Sequence, residues 1–290
     1  MFEQLIGIVF PIFGLVAVGY FYARRHAPDM AAANKVNLEA FTPALIFSVL
    51  SGENFELAAY SELALAGLLV VLGSGLLAWP VARLAGWRTK AFVPPMMFTN
   101  SGNMGLPLAV LAFGEAALPA AMVLFLVENT LHFTVGNAML EGRVHPLVLL
   151  RMPMLQATLA GLVVALLDLS VWEPLAVALD LLGEVAIPLM LFSLGVRMTS
   201  VDLRDWRIGL VGAVVCPLTG IALALPAAEL FDLQGVQYAQ LMVFGALPPA
   251  VLNFMLAEKF NESPQAVASI VLLGNLASVV TIPAVLVFVL

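Results

Sequence analysis

The chain has 290 residues, of which 62% are hydrophobic and 11% are charged, and its mean hydropathy is +1.03. A soluble domain runs nearer half apolar and about a quarter charged, so the composition speaks against a soluble enzyme, a nucleic-acid binder and a disordered chain. It points to an integral membrane protein whose net charge of -7 says little and whose single Cys216 excludes an intrachain disulfide.

A spanning helix takes roughly 20 residues, so this length has room for about a dozen spans and almost none for a soluble domain. Apolar runs predict ten helices, at about 4–22, 35–51, 62–85, 91–113, 116–140, 150–168, 174–197, 207–230, 238–259 and 266–289. The first opens Met1-Phe2-Glu3-Gln4 with no basic segment, so it is expected to stay as a span and not to be removed as a signal peptide. The fourth carries Asn100-Ser101-Gly102-Asn103-Met104-Gly105-Leu106-Pro107, which are poor helix formers for mid-membrane. Pro107 clashes with the carbonyl at Asn103, so this helix is expected to open near Gly102–Gly105. Freed backbone groups cannot face lipid, and the stretch should therefore line a cavity or pack inside protein.

The fifth span holds Glu128, Asn129 and His132, with Glu128 and His132 four residues apart on one face. An ionised carboxylate at mid-bilayer costs about 2.5–3.5 kcal/mol, so Glu128 is expected to be protonated, paired or in water. It is a candidate coupling group for H⁺ or Na⁺, with Asn129 beside it, or alternatively a packed neutral acid. His132 fits a packed polar residue better than a proton relay. The ninth span reads Leu247-Pro248-Pro249-Ala250-Val251-Leu252-Asn253 and should break near Leu247–Pro249, and Asn275 in the tenth is expected to line the same cavity as Asn129. Simple proline kinks are the plainer reading of spans four and nine. They do not account for Asn100, Ser101, Asn103 and Asn253 clustered at the breaks.

The loops set a direction. All 12 Lys and Arg fall in alternate loops or at their edges: Arg24, Arg25, Lys35; Arg83, Arg88, Lys90; Arg143, Arg151; Arg197, Arg204, Arg207; Lys259. The other loops carry acids, among them Glu53, Glu56 and Glu115. Basic loops stay cytoplasmic, so both termini are expected outside. With no cation deep in any span, an anionic ligand would be held by helix ends and Asn amides.

The halves also match one another. A shift of 145 puts Glu39, Pro43, Phe47 and Ser48 on Glu184, Pro188, Phe192 and Ser193. It puts Asn103 on Pro248, and a shift of 146 puts Asn129 on Asn275. Apolar sequences match easily by chance, but these matches keep their order and fall on helix-shaping residues. Residues 1–145 and 146–290 then form two five-helix repeats, and the odd span number inverts the second. Paired broken helices in inverted repeats mark a transporter site near the midplane. By the same register Glu184 is expected within a turn or two of the outer surface, and both Glu39 and Glu184 are read as structural.

The runs at 100–107 and 247–254, with the ten-span count, resemble the auxin efflux carrier family in its short bacterial form. The resemblance covers the whole chain and implies a fold shared with the bile-acid/sodium symporters. It implies a scaffold of helices 1, 2, 6 and 7, often a homodimer interface, and a mobile transport domain of helices 3–5 and 8–10. An elevator-type motion would carry small organic anions, such as malate, malonate or auxin-like acids, across the bacterial inner (cytoplasmic) membrane. The expected substrate site is Asn100, Ser101, Gly102, Asn103, Pro107, Pro248, Pro249 and Asn253 at the crossing of helices 4 and 9. The expected ion site is Glu128, Asn129, His132 and Asn275, with no cofactor beyond a coupling Na⁺ or H⁺. A sodium-coupled bile-acid-type symporter and a passive channel are the alternatives within transport. An intramembrane enzyme has no zinc or Asp-rich motif to support it.

Overall fold

The computed structural model describes residues 2–52, 55, 57–142, 151–199 and 204–290; the predicted loop residues Glu53, Glu56 and Arg143 and the 145/146 boundary lie outside them. Among the described residues the chain is all-helical, with one isolated backbone bridge and no strand. Helix α1 is Phe2–His26. Ala31–Val36, a π turn Asn37–Phe41 and Thr42–Ser51 run on as one rod, α2. Helix α3 is Ser61–Leu84. Helix α4 is interrupted: α4a is Thr89–Met97, and a π turn Ser101–Gly105 leads into α4b, Leu106–Phe113. Gly114, at φ 84°, turns the chain into the next helix in a conformation that suits glycine alone. Helix α5 is Leu118–Leu131, prolonged by a π turn His132–Gly136 and by Asn137–Glu141.

Helix α6 is Pro153–Leu166, α7 is Glu173–Arg197 and α8 is Trp206–Leu230. Helix α9 is again interrupted, α9a being Gly235–Ala246 and α9b Val251–Phe260, and α10 is Pro264–Val289. Six of these stretches, in α1, α3, α5, α7, α8 and α10, are long and apolar enough to cross a membrane. The other four predicted spans are present as shorter pieces, for physical reasons. The π turn divides α2, α4 and α9 are broken, and α6 has 14 residues, which at ~1.5 Å each covers less than the ~30 Å bilayer core.

Helix α1 packs on α7, and α2 on α6 and α7; α8 packs on α3, α9a and α10, and α3 on α4a and α5. The α1–α7 contact is backbone against backbone. A methyl group on Gly19 would fall on the Phe192 carbonyl, and one on Gly195 on the Val16 carbonyl. At one end of the α3-containing group Lys90 Nζ donates to the Leu140 carbonyl at 2.8 Å and pairs with Glu262 at 3.0 Å, while Arg88 lies 3.7 Å from the same carboxylate. That clasp ties the start of α4a to the ends of α5 and α9b.

Two expectations are corrected. Helix α4 opens at Phe98–Asn100, before the Gly102–Gly105 stretch, which is wound into the π turn instead. Thr99 stands opposite Pro249, so the two breaks meet five residues out of the 145 register; α9a has 12 residues where α4a has 9. Glu184 is the twelfth of 25 residues of α7, roughly 17 Å from its start, and not within a turn or two of either end.

Candidate functional site

The two breaks meet each other. Thr99 and Pro249 form an antiparallel bridge, with the Asn100 amide donating to the Pro248 carbonyl at 2.7 Å and the Ala250 amide donating to the Phe98 carbonyl at 3.0 Å. The reason is chemical. Leu247 precedes a proline and is pushed to extended backbone, which it adopts at ψ 145°. The interruption leaves the Pro248 and Pro249 carbonyls without donors from their own helix, so they need donors from elsewhere. Asn100 supplies one, and Asn275 Nδ2 supplies the other to the Pro249 carbonyl at 3.0 Å. Asn253 Nδ2 donates to the Phe98 and Ala250 carbonyls at 2.8 and 3.0 Å, and Asn100 Nδ2 donates to Asn275 Oδ1 at 3.1 Å. Cys216, on α8, lies behind the bridge with its sulfur 3.7 Å from the Pro95 carbonyl and 3.6 Å from that of Leu247.

Helix α5 brings Glu128 and His132 to the bridge. Glu128 is 2% exposed, and its Oε2 accepts from the Thr99 hydroxyl at 3.3 Å with Ser101 beside it. Its Oε1 has no hydrogen-bond partner. The His132 ring stacks on Phe98 at 4.1 Å between centroids. In front of these groups lies a cavity of about 330 Å³. One wall is the first turn after each break, Ser101–Gly102–Asn103 and Ala250–Val251–Leu252, together with Glu128, Asn129 and His132. The first turn of a helix has amides without carbonyl partners and the positive end of the dipole, so this wall suits an anion. The other wall comes from α2, α6 and α7, with Asn37, Glu39, Thr42, Met154, Ser193 and Arg197 among its residues.

The predicted residues divide by position. Asn100, Ser101, Gly102, Asn103, Glu128, Asn129 and His132 line this cavity. Pro248, Pro249 and Asn253 stand outside its lining and hold the bridge together. Pro107 is buried in the first turn of α4b, away from the cavity. Asn275 does not share a cavity with Asn129; it lines a second one of about 160 Å³ with Leu194, Arg197 and Met198. Asn129 Nδ2 instead faces the Met154 sulfur at 3.6 Å. Arg197 lines both cavities, although its place at the end of an apolar run marks it as a loop cation. Glu39, read from the repeat as structural, also lines the larger cavity. Asn37 and Thr42 carry no sequence signal for the site; Ser193 and Arg197 carry only their four-residue spacing, which puts them on one face of a helix.

Comparison with known proteins gives three matches. The family model described as membrane transport protein matches residues 142–286, half of the chain. A protein of Rhizobium meliloti (strain 1021) named "Putative malonate transporter" is 28% identical over 96% of this chain and 94% of its own length. An uncharacterised transporter of Methanocaldococcus jannaschii is 22% identical over 95% of this chain and 96% of its own.

Proposed function

The chain belongs to the membrane transport protein family, that of the auxin efflux carriers, and from that premise we propose that it is a secondary transporter of small organic anions. The observation that carries this reading is the pair of interrupted helices whose first turns line one cavity beside the buried Glu128. The cavity, at about 330 Å³, stands at the small end of the ~300–1,000 Å³ usual for ligand pockets. That favours a short carboxylate over a steroid and weighs against the bile-acid-type alternative. The name of the Rhizobium relative points the same way.

The architecture in this proposal is ten spans in two inverted repeats of five. It is supported by the like order of helices in each half, with the interrupted helix fourth in both. Helices α1, α2, α6 and α7 act as the scaffold and α3–α5 with α8–α10 as an elevator-type transport domain, in keeping with which helices pack together. The cavity lies between those two groups. The described basic residues stand at the matching ends of alternating helices, which supports a cytoplasmic placement of that face and termini outside. Glu128, with Thr99 and Ser101, offers oxygen ligands that fit either Na⁺ or H⁺; the coupling ion is cargo here. A homodimer through the scaffold is supported by Glu184. It is exposed at the middle of α7 among exposed Leu181, Leu182 and Val185, where lipid would be a costly neighbour for a carboxylate.

The test is reconstitution in proteoliposomes, with a panel of mono- and dicarboxylates and aromatic acids under Na⁺ and pH gradients imposed separately. Saturable uptake with counterflow is expected. Non-saturating flux would identify a channel instead.

A further inference from the structure

The cavity has a second polar wall that the bridge does not use. Asn37 and Thr42 are one π turn apart on α2, and Ser193 and Arg197 are one α turn apart on α7; all four line the cavity. Asn37, Thr42 and Ser193 are 3%, 0% and 4% exposed, yet Asn37 Oδ1, Thr42 Oγ1 and Ser193 Oγ have no hydrogen-bond partner. Buried polar atoms are almost always paired, and leaving one unpaired is costly. Here three unpaired atoms come to one wall. The orientation of Asn37 is fixed by its own Nδ2, which donates to the Ala186 carbonyl of α7 at 3.3 Å and leaves Oδ1 as the spare acceptor. Thr42 and Ser193 can each donate a hydroxyl proton. Arg197 adds a cation, with Glu258 of α9b acting on it. The other titratable groups on the cavity are Glu39, which is exposed, and Glu128 and His132, which belong to the opposite wall.

We propose that Asn37, Thr42 and Ser193, with Arg197 beyond them, form a scaffold-borne subsite for the distal carboxyl group of a short dicarboxylate. Its near carboxylate rests on the first turns that follow the two breaks. This rests on reading the cavity as an anion site. The two hydroxyl donors and the positive charge match an ionised carboxylate, which only accepts, and Asn37 Oδ1 serves a carboxyl that keeps its proton; an apolar tail or an aromatic ring satisfies none of these groups. A monocarboxylate fills the half of the site at the bridge and leaves the scaffold atoms unpaired.

The test uses purified full-length protein titrated with malonate, succinate, propionate and butyrate by thermal shift, and the same protein in proteoliposomes taking up labelled malonate and propionate. Wild type is expected to bind malonate at least tenfold tighter than propionate. The double variant Thr42→Val/Ser193→Ala should lose about tenfold or more of that preference, the effect of removing hydrogen bonds to a charged group. Arg197→Gln should erode it further. Because the removed hydroxyls have no partner, the ligand-free melting temperature of the double variant should stay level or rise. A preference unchanged in the double variant overturns the subsite, and so does equal wild-type affinity for mono- and dicarboxylates. A fall in melting temperature with preference intact also overturns it, by assigning the residues a structural role. Wild type that binds and transports no carboxylate at all instead removes the anion-site reading, and the subsite falls with it.

Discussion

At the scale of the residue, the Asn side chains in the site do two different jobs. Asn253 spans the bridge, holding the Phe98 and Ala250 carbonyls. Asn253→Ala removes one donor from each, while the Ala250 amide still serves the Phe98 carbonyl and the Asn253 amide the Ala250 carbonyl, so the cost is that of two hydrogen bonds, about 0.5–1.5 kcal/mol each. A lower melting temperature in detergent and loss of uptake together are the expected result. Asn103 is half-buried on the cavity wall, so Asn103→Ala is expected to weaken binding while the melting temperature moves little. Measuring both on the same preparation separates brace from ligand. Glu128 is the third case. Its Oε2 is held by Thr99 and its Oε1 is left over for an ion or a proton. Glu128→Gln is expected to abolish the response of uptake to an imposed Na⁺ or pH gradient while counterflow persists. Unchanged gradient-driven uptake in that variant would remove Glu128 from coupling.

At the scale of the element, glycine sets how closely helices approach. Gly19 and Gly195 let α1 and α7 meet backbone to backbone. Overpacking a well-filled contact costs about 1–3 kcal/mol, and more where backbone has to move. Gly195→Val should therefore lower the melting temperature clearly, by more than an Ala→Val change on a lipid-facing stretch of α7. The breaks are elements of a different kind. In α9 the tandem prolines write the interruption into the sequence, and it falls at Leu247–Ala250 as expected. In α4 no proline lies at Phe98–Asn100. That opening depends on partners from α9, the Pro248 carbonyl and the Ala250 amide. This is why the glycines at 102 and 105 mislead: they are tolerated inside a π turn once the chain has opened three residues earlier.

At the scale of the whole molecule, the cavity lies between two groups of packed helices, so relative movement should open and close it. The single native cysteine makes this testable after Cys216→Ala. Leu38 of α2 and Met255 of α9b line the cavity from its two sides. Cysteines at both, bridged by a bifunctional thiol reagent, are expected to stop uptake, while either single variant treated alike still transports. Transport that continues in the bridged protein would show that the groups need not move. The exposed Glu184 leads to a prediction about assembly: if the proposed scaffold dimer forms through it, light scattering of the detergent-solubilised form is expected to read a dimer for the wild type and a monomer for Glu184→Trp.

The sequence by itself determined that the chain is helical and membrane-bound, that its fourth and ninth helices are interrupted, and that Glu128 is an acid in the middle of an apolar fifth helix. These follow from composition, apolar length and proline chemistry, which act locally along the chain. Only the tertiary structure decided which residues face the cavity. Asn253 and Asn275 look like ligands in sequence, yet they are consumed in bracing freed carbonyls. Asn37, Thr42, Ser193 and Arg197 look unremarked, yet they line the far wall. A side chain's partner depends on which helix faces it, and that is fixed by packing between segments more than 100 residues apart, such as Asn37 and Ala186.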